Sequence, residues 1–215
     1  MSGSVVITGG RGGLGRALAA EFEGASWQVE APGRDELDVC SDESVAQYFS
    51  GRELDLLICT AGLTRDASLI RLSEQSWDLV CETNFLGAAR CAKWASDGMR
   101  ERKGGHIIFI SSYSAIHPPV GQAAYAASKA ALLGLTQGLA IELGPMGIRV
   151  NAVLPGFMET PMTCAVSDER RIEILSDHSL GRFNTPTIVS KFIRHLQEDL
   201  VHTSGQVFNL DSRLA

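Results

Sequence analysis

The sequence predicts an α/β fold in a single domain spanning residues 1–215, a doubly wound, mostly parallel sheet of about seven strands with helices on both faces. Three observations carry that prediction. Short apolar runs alternate with helical patterns from one end of the chain to the other, which implies parallel strands joined by crossover helices. The chain holds 22 glycines, as proteins with many tight turns do. A glycine-rich turn stands between the first strand-like run and the first helix-like one, the end of the sheet where such folds bind ligands.

The elements follow in order. Val5-Val6-Ile7 is a short apolar run suited to a buried strand. Leu14, Leu18 and Phe22 then recur at helical spacing. Trp27 to Ala31 reads as a second strand, interrupted by Gln28 and Glu30, and Leu37 to Val39 as a very short third. The stretch between them leaves a helix missing or very short. Ser41-Asp42-Glu43 is a helix-start composition, so a helix is predicted from Ser41 to Phe49. Leu54 to Cys59 is a strand and Glu74 to Arg102 a long helical region. His106 to Ile110 is a strand, followed by a helix from Gln122 to Leu143 that Gly144-Pro145 closes. Ile148 to Val153, Ile188 to Leu196 and Gln206 to Leu210 complete the pattern as strand, helix and strand. Right-handed crossovers wind such a chain about both faces of its sheet.

Composition removes several classes of function. A formal net charge of -6 without a basic run argues against nucleic acid as a partner. The five cysteines are odd in number and lack C-x-x-C spacing, so buried reduced thiols are expected rather than disulfides. The five histidines form no ligand cluster, and no metal site is expected. Met1 to Ser4 lead directly into a strand-like run, and no apolar stretch is long enough to span a bilayer. A cytoplasmic protein with no membrane partner is the expectation.

Two stretches carry chemistry. In Thr8 to Gly15, "TGGRGGLG", five of the last seven residues are glycine. Glycines there permit positive φ and let the backbone approach a pyrophosphate at a helix N-terminus. A structural tight turn is the plainer reading, but the strand, turn and helix fall in the order a dinucleotide site requires. In "YAASKAALLG", Tyr125 and Lys129 leave one face of a helix a turn apart. A free tyrosine exchanges protons poorly at neutral pH, and a nearby ammonium favours its phenolate. Ser112 ends a strand in "FISSYSA", beside Ser111 and Tyr113 as competing candidates. Alternation along the strand puts Ser112 on the opposite side from both.

Thr8-Gly9-x-x-x-Gly13-x-Gly15 together with Tyr125-x-x-x-Lys129 resembles the short-chain dehydrogenase/reductase family, a Rossmann fold that binds NAD(P). Further pieces agree in order: Asn84 in "ETNFLG", Ser112 at the family offset from the tyrosine, and "RVNAVLPGFMETPM" from Arg149 to Met162. "SLGRFNTP" and "TSGQVFNLDS" are similar to the family's C-terminal blocks, and the 3-oxoacyl-[acyl-carrier-protein] reductases are the nearest subgroup. The resemblance implies reduction of a ketone, such as a 3-oxoacyl thioester, to a secondary alcohol. It implies Tyr125 as proton donor, Ser112 as partner of the substrate oxygen, and Lys129 as holder of the nicotinamide ribose. It further implies that Asn84 holds a water that relays protons toward Lys129. The cofactor contacts implied are Gly9, Arg11, Gly13, Leu14 and Gly15, then Arg34, Asp38 and Val39. Ala61, Gly62, Pro155, Gly156, Met158 and Thr160 complete that set, with Tyr125 and Lys129. Met158, Met162 and Phe183 are expected as apolar walls for the substrate, which segments 116–121 and 157–180 would contact.

Two departures stand out. Cys59-Thr60-Ala61-Gly62 replaces the family's Asn-Asn-Ala-Gly, which removes hydrogen bonds that brace the sheet. The second strand runs almost directly into "ELDV", which thins that end of the sheet and opens the adenine pocket. Glu30 falls inside the strand, too early to reach the ribose diol. Arg34, with Arg11, can take a 2′-phosphate, so NADPH is favoured and NADH is the alternative. A secondary-alcohol dehydrogenase using NAD(H), or a non-catalytic dinucleotide sensor or scaffold, are the competing functions. Small residues along 122–143 and Gly87-Ala88-Ala89 point to a homotetramer of D2 symmetry or a homodimer.

Overall fold

The computed structural model describes residues 3–213. In chain order the elements are β1 (Ser4–Thr8), α1 (Gly13–Gly24), β2 (Gln28–Glu30), α2 (Asp42–Phe49) and β3 (Leu56–Cys59). Then come α3 (Glu74–Cys81), α4 (Gly87–Glu101), β4 (Gly105–Ile110), α5 (Ala123–Leu143) and β5 (Ile148–Leu154). Helices α6 (Asp168–Asp177) and α7 (Pro186–Glu198) precede β6 (Val207–Asn209). Among the described residues, six parallel strands form one sheet in the order β2-β1-β3-β4-β5-β6.

The two-residue period of the strands divides the core between two layers. Val6, Leu57, Ile107, Phe109 and Val150 face Val45 and Phe49 of α2, Cys91 and Met99 of α4, and Leu132 of α5. Val5, Ile7, Leu56, Ile58 and Val153 face Leu18 and Phe22 of α1 and Val189, Ile193 and Leu196 of α7. Strands covered on both faces are apolar throughout, which is why these runs look continuous in sequence. The register sets Thr8 beside Cys59, Cys59 beside Phe109 and Phe109 beside Ala152. The central strands β1, β3, β4 and β5 therefore end within two residues of one another, and the segments that follow them share one rim.

Side chains start the helices where the sequence offers them. Ser41 accepts from the Ser44 amide, Ser73 from Ser76 and Thr185 from Ile188, the last just before Pro186.

Three expectations need correction. Leu37 to Val39 is not a strand, so the described residues form a sheet of six strands rather than about seven. The amides there are already engaged: Leu37 donates to Gly33, Asp38 to the Ser44 hydroxyl, and Cys40 to the Asp38 carboxylate. Turn bonds of this kind leave no ladder to extend, and β2 becomes the edge. Second, the helical region from Glu74 is interrupted by a π-turn over Glu82–Leu86, whose end Gly87 marks by donating to Glu82 five residues back. Third, α6 lies in a stretch whose apolar pattern predicts no element; Ser167 caps it, with Asp168 and Glu169 in its first turn. The cysteines are all free, but Cys164 is exposed rather than buried.

Candidate active site

The rim at the carboxyl ends of the strands gathers most of the residues singled out above. After β1, Gly9 adopts φ +65°, and a Cβ there would come within 2.8 Å of the Ala61 backbone. That close approach sets the turn after β1 against the segment after β3. Gly12 opens α1, and among the described residues no side chain caps it. A Cβ on Gly13 would stand 3.0 Å from Thr160, so the turn faces the segment after β5 across a narrow gap. Free amides at a helix N-terminus, bounded by Gly13 and Thr160, suit a pyrophosphate. Leu14 itself turns inward and packs in the α1 core, so only its backbone reaches the rim.

Thr60 offsets part of the bracing that an asparagine would give. Its hydroxyl donates to the Thr8 carbonyl at 2.5 Å, and the Thr8 hydroxyl accepts from the Ala61 amide at 3.3 Å. The strands β1 and β3 are thus cross-linked at the point where their turns diverge.

Asn84 sits in the π-turn, fully buried. Its Oδ1 accepts from the Leu63 amide at 2.8 Å, and its Nδ2 donates to the Leu63 carbonyl at 2.9 Å and to Ser128 Oγ at 3.0 Å. Ser128 in turn donates to the Tyr125 carbonyl at 2.7 Å. The Asn84 amide is therefore a clamp between the segment after β3 and α5. Gly62 lies inside this clamp: a Cβ would stand 3.1 Å from Asn84 Oδ1 and 3.5 Å from Lys129 Nζ.

The three adjacent side chains after β4 divide their work. Ser111 is buried and donates to the Lys129 carbonyl at 2.8 Å, fastening β4 to α5. Ser112 faces the Tyr125 phenol and accepts from the Ser114 amide at 3.1 Å, which leaves its own proton for another acceptor. Tyr113 turns away, stacked on His117 with ring centroids 4.7 Å apart.

Burial raises the Tyr125 pKa above the ordinary tyrosine value; the hydrogen bond with Ser112 works against this, and the Asp66 carboxylate adds to it. Lys129 Nζ donates to the Ile110 carbonyl at 2.8 Å and lies 5.9 Å from the centre of the Tyr125 ring. Desolvation pushes the Lys129 ammonium down to about 8.

A strap absent from the sequence reading closes over this group. Gln122 Nε2 donates to Asp66 Oδ2 at 2.8 Å, Gln122 Oε1 accepts from Ser114 Oγ at 3.0 Å, and the Ala67 amide donates to the Gly121 carbonyl at 2.9 Å. Asp66 and Gln122 are ordinary loop polar residues 56 positions apart, and no local pattern marks them.

The ribose side differs from expectation. Arg11 is paired with Asp35 at 2.8 Å and Glu36 at 3.0 Å, and Arg34 with Asp38 at 3.3 Å. Glu30 is held by Tyr48 and Arg52 beneath them. Val39 is buried against Gly87 of α4 rather than presenting its side chain. After β5, Asn184 holds the Pro155 carbonyl at 2.8 Å and Gly156 adopts φ +80°. Met158 packs into the core instead of forming a substrate wall. Phe157 and Phe183 do pair there, with centroids 4.6 Å apart, and Met162 is half exposed.

Residues 25–171 match the family model described as short chain dehydrogenase. The chain is 38% identical over 204 residues to 3-oxoacyl-[acyl-carrier-protein] reductase FabG of Thermotoga maritima, covering 92% of this chain and 82% of that protein. It is 33% identical over 227 residues to 3-oxoacyl-[acyl-carrier-protein] reductase MabA of Mycobacterium tuberculosis, covering 98% and 92%. Among solved structures, an oxidoreductase of the short chain dehydrogenase/reductase family from Burkholderia thailandensis superposes with a TM-score of 0.91 at 26% identity. That match covers 99% of this chain and 92% of the other.

Proposed function

The chain belongs to the short-chain dehydrogenase family of oxidoreductases, and from that premise we propose that it reduces a ketone to a secondary alcohol using NADPH. The observation that carries this reading is the convergence of Ser112, Tyr125, Lys129 and Asn84 at one rim of the sheet. When bound, the dinucleotide supplies the hydride. Its pyrophosphate is assigned to the amides of Gly13, Leu14 and Gly15, and its nicotinamide end to Lys129 and the segment from Pro155 to Thr160.

The side chains supply the proton and the alignment. Ser112 donates to the carbonyl oxygen as negative charge gathers there. Tyr125 gives that oxygen its proton, and its raised pKa keeps it protonated and ready to act as an acid at neutral pH. Lys129, poised near 8, takes part in restoring the phenol proton. Asn84 keeps the backbone of Leu63 and α5 in fixed relation, so that Gly62 cannot drift over Lys129.

Exposed apolar residues follow three strands at this rim: Leu69, Ile70, Ile116, Val120, Met162 and Leu180. They support an apolar substrate, and an acyl thioester of the kind named for the Thermotoga maritima relative is the class proposed. A cytoplasmic location and a D2 homotetramer, or a dimer, belong to the same proposal.

The decisive experiment is loss of NADPH absorbance with a panel of 3-oxoacyl thioesters and simple ketones. Tyr125→Phe should cut turnover roughly 100- to 10,000-fold while the cofactor Kd stays near wild type. A variant that keeps normal turnover would overturn the role given to Tyr125.

A second reading, NADH as cofactor, is favoured by one observation. Both arginines are already neutralised by Asp35, Glu36 and Asp38, and a 2′-phosphate would have to displace carboxylates. Titration of both cofactors separates the two readings. Under the NADPH reading, Arg34→Ala weakens NADPH by about 1–3 kcal/mol and leaves NADH alone. Equal losses, or a wild-type preference for NADH, establish the second.

A further inference from the structure

We infer that the buried Asp211–Arg213 ion pair is a positioning device for Ser112, tying the turn that carries this serine to the segment that follows β5. What Ser112 does rests on the reductase reading above; how it is held does not.

Both residues follow β6. Arg213 Nε donates to Asp211 Oδ1 at 2.9 Å, and a second bond from Nη2 to Oδ2 makes the pair bidentate. The Asp211 side chain is 0% exposed and that of Arg213 13%. Charges so deeply buried lose hydration that only good geometry and further contacts repay. Here the further contacts reach both sides of the active site.

On one side, the guanidinium carbon of Arg213 lies 3.7 Å from the centre of the Tyr113 ring. That is a cation–π contact with most of the water removed. Tyr113 directly follows Ser112 and begins a single 3-10 turn, Tyr113–Ala115. So short a turn has little stability of its own. With its first ring clamped between Arg213 and the rest of the loop, the turn keeps the Ser112 hydroxyl directed at Tyr125. On the other side, a Cβ at Gly156 would meet Asp211 Oδ2 at 3.1 Å and Asp211 Cα at 3.3 Å. The aspartate thus backs the segment assigned to the nicotinamide. A third element fixes the pair: His178 Nδ1 bonds Ser212 Oγ at 2.8 Å, and the Ser179 amide donates to the Ser212 carbonyl at 3.0 Å. Arg213 acts on Ser112 through Tyr113, so it is a positioning residue.

The test uses Arg213→Met, Tyr113→Leu, Tyr113→Phe and the Arg213→Met/Tyr113→Leu double variant of the full chain. The first readout needs no substrate. The amides of Ala115, Ile116 and His117 donate to the carbonyls of Ser112 and Tyr113, and their hydrogen exchange reports the turn. Arg213→Met and Tyr113→Leu should each speed that exchange roughly 2- to 30-fold, the range for losing a partly desolvated cation–π contact, and leave β5 amides unchanged. The double variant should exchange no faster than Tyr113→Leu alone, because that variant already removes the contact with Arg213. Tyr113→Phe keeps the ring and should match wild type. If Arg213→Met fails to fold because Asp211 is stranded, Asp211→Asn/Arg213→Met, which leaves no unpaired carboxylate, takes its place and should speed the same exchange. The second readout is turnover: Tyr113→Leu should lower kcat about 10- to 100-fold with the cofactor Kd unchanged. Unchanged exchange at the three amides, additive effects in the double variant, or full kcat in an active enzyme would each overturn the inference. A wild-type chain that reduces no ketone sinks the reductase reading instead, and the exchange data stand apart from it.

Discussion

Lys129 holds an ammonium in the interior with the Ile110 carbonyl as its hydrogen-bond partner, and its side chain is almost wholly buried. Such a charge destabilises the native state. Its folded pKa, about 8, lies below the ordinary 10.5, so between those values the unfolded chain binds the proton and the folded chain does not. The destabilisation is therefore complete below about pH 8 and fades as pH rises toward 10.5. Lys129→Met should stabilise the protein by about 1–3 kcal/mol at pH 7 while destroying turnover and weakening cofactor binding. Urea melts at pH 7 and pH 10.5 check this: the gain should shrink at the higher pH. A gain that is the same at both, or a loss, would show that the buried charge is not its source. The residue scale is also where sequence is most literal. The spacing of Tyr125 and Lys129 follows from helix geometry alone, and strand alternation separates Ser112 from Ser111. Which way Lys129 Nζ points depends on packing, and no spacing rule contains that.

At the scale of elements, the far ends of β4 and β5 are joined to α7 by a polar network. His106 Nδ1 bonds Gln197 Oε1 at 2.8 Å, Asn151 Nδ2 bonds His106 Nε2 at 2.9 Å, and Arg149 donates to the Gln197 side chain at 3.0 Å. Burial, reinforced by the Arg149 charge, pushes the His106 pKa down from 6.5 to about 3. The folded protein keeps His106 neutral while the unfolded chain takes up a proton as pH falls below 6.5. Stability is thus present above that value and is lost, by a few kcal/mol, as pH falls toward 3. His106→Gln cannot titrate, so its thermal midpoint should drop less between pH 7 and pH 4.5 than that of the wild type. Equal drops would remove His106 as the cause. Elements themselves were legible wherever a period was long enough: α1, α4 and α7 match their apolar stripes. The exceptions have physical reasons. Two apolar side chains in "ELDV" look like strand, but the Leu37 amide is bonded to the Gly33 carbonyl and the Asp38 amide to the Ser44 hydroxyl. The π-turn at Asn84 adds one residue per turn without breaking the helix, so only the buried clamp to Leu63 and Ser128 marks it. On the ribose side, Asp35 and Glu36 lie in the same turn as Arg34, and only the fold shows that they pair with Arg11.

For the whole molecule, α5 leaves one long face uncovered. Ala123, Ala127, Gly134, Gly138 and Ile141 are exposed along it, Ile141 to 78%. A Cβ at Gly134 or Gly138 would meet no neighbour within 4 Å. A flat face of small residues admits a second helix at short range, and two-fold symmetry lets the same face serve both partners. Light scattering at micromolar concentration should give a multiple of 23.1 kDa, and Ile141→Glu should reduce it toward the single-chain mass. A wild-type mass of 23.1 kDa that does not change on concentration would disprove assembly through this face. The opposite flank of the sheet has another consequence. With Leu37 to Val39 folded into a turn, the sheet stops at β2, which offers three residues, one of them Glu30. Amyloid-like growth needs a long, flat, uncharged border onto which another chain can add. A border this short, with a carboxylate on it, is a poor template for such growth, so the truncated sheet protects the protein against edge-to-edge aggregation.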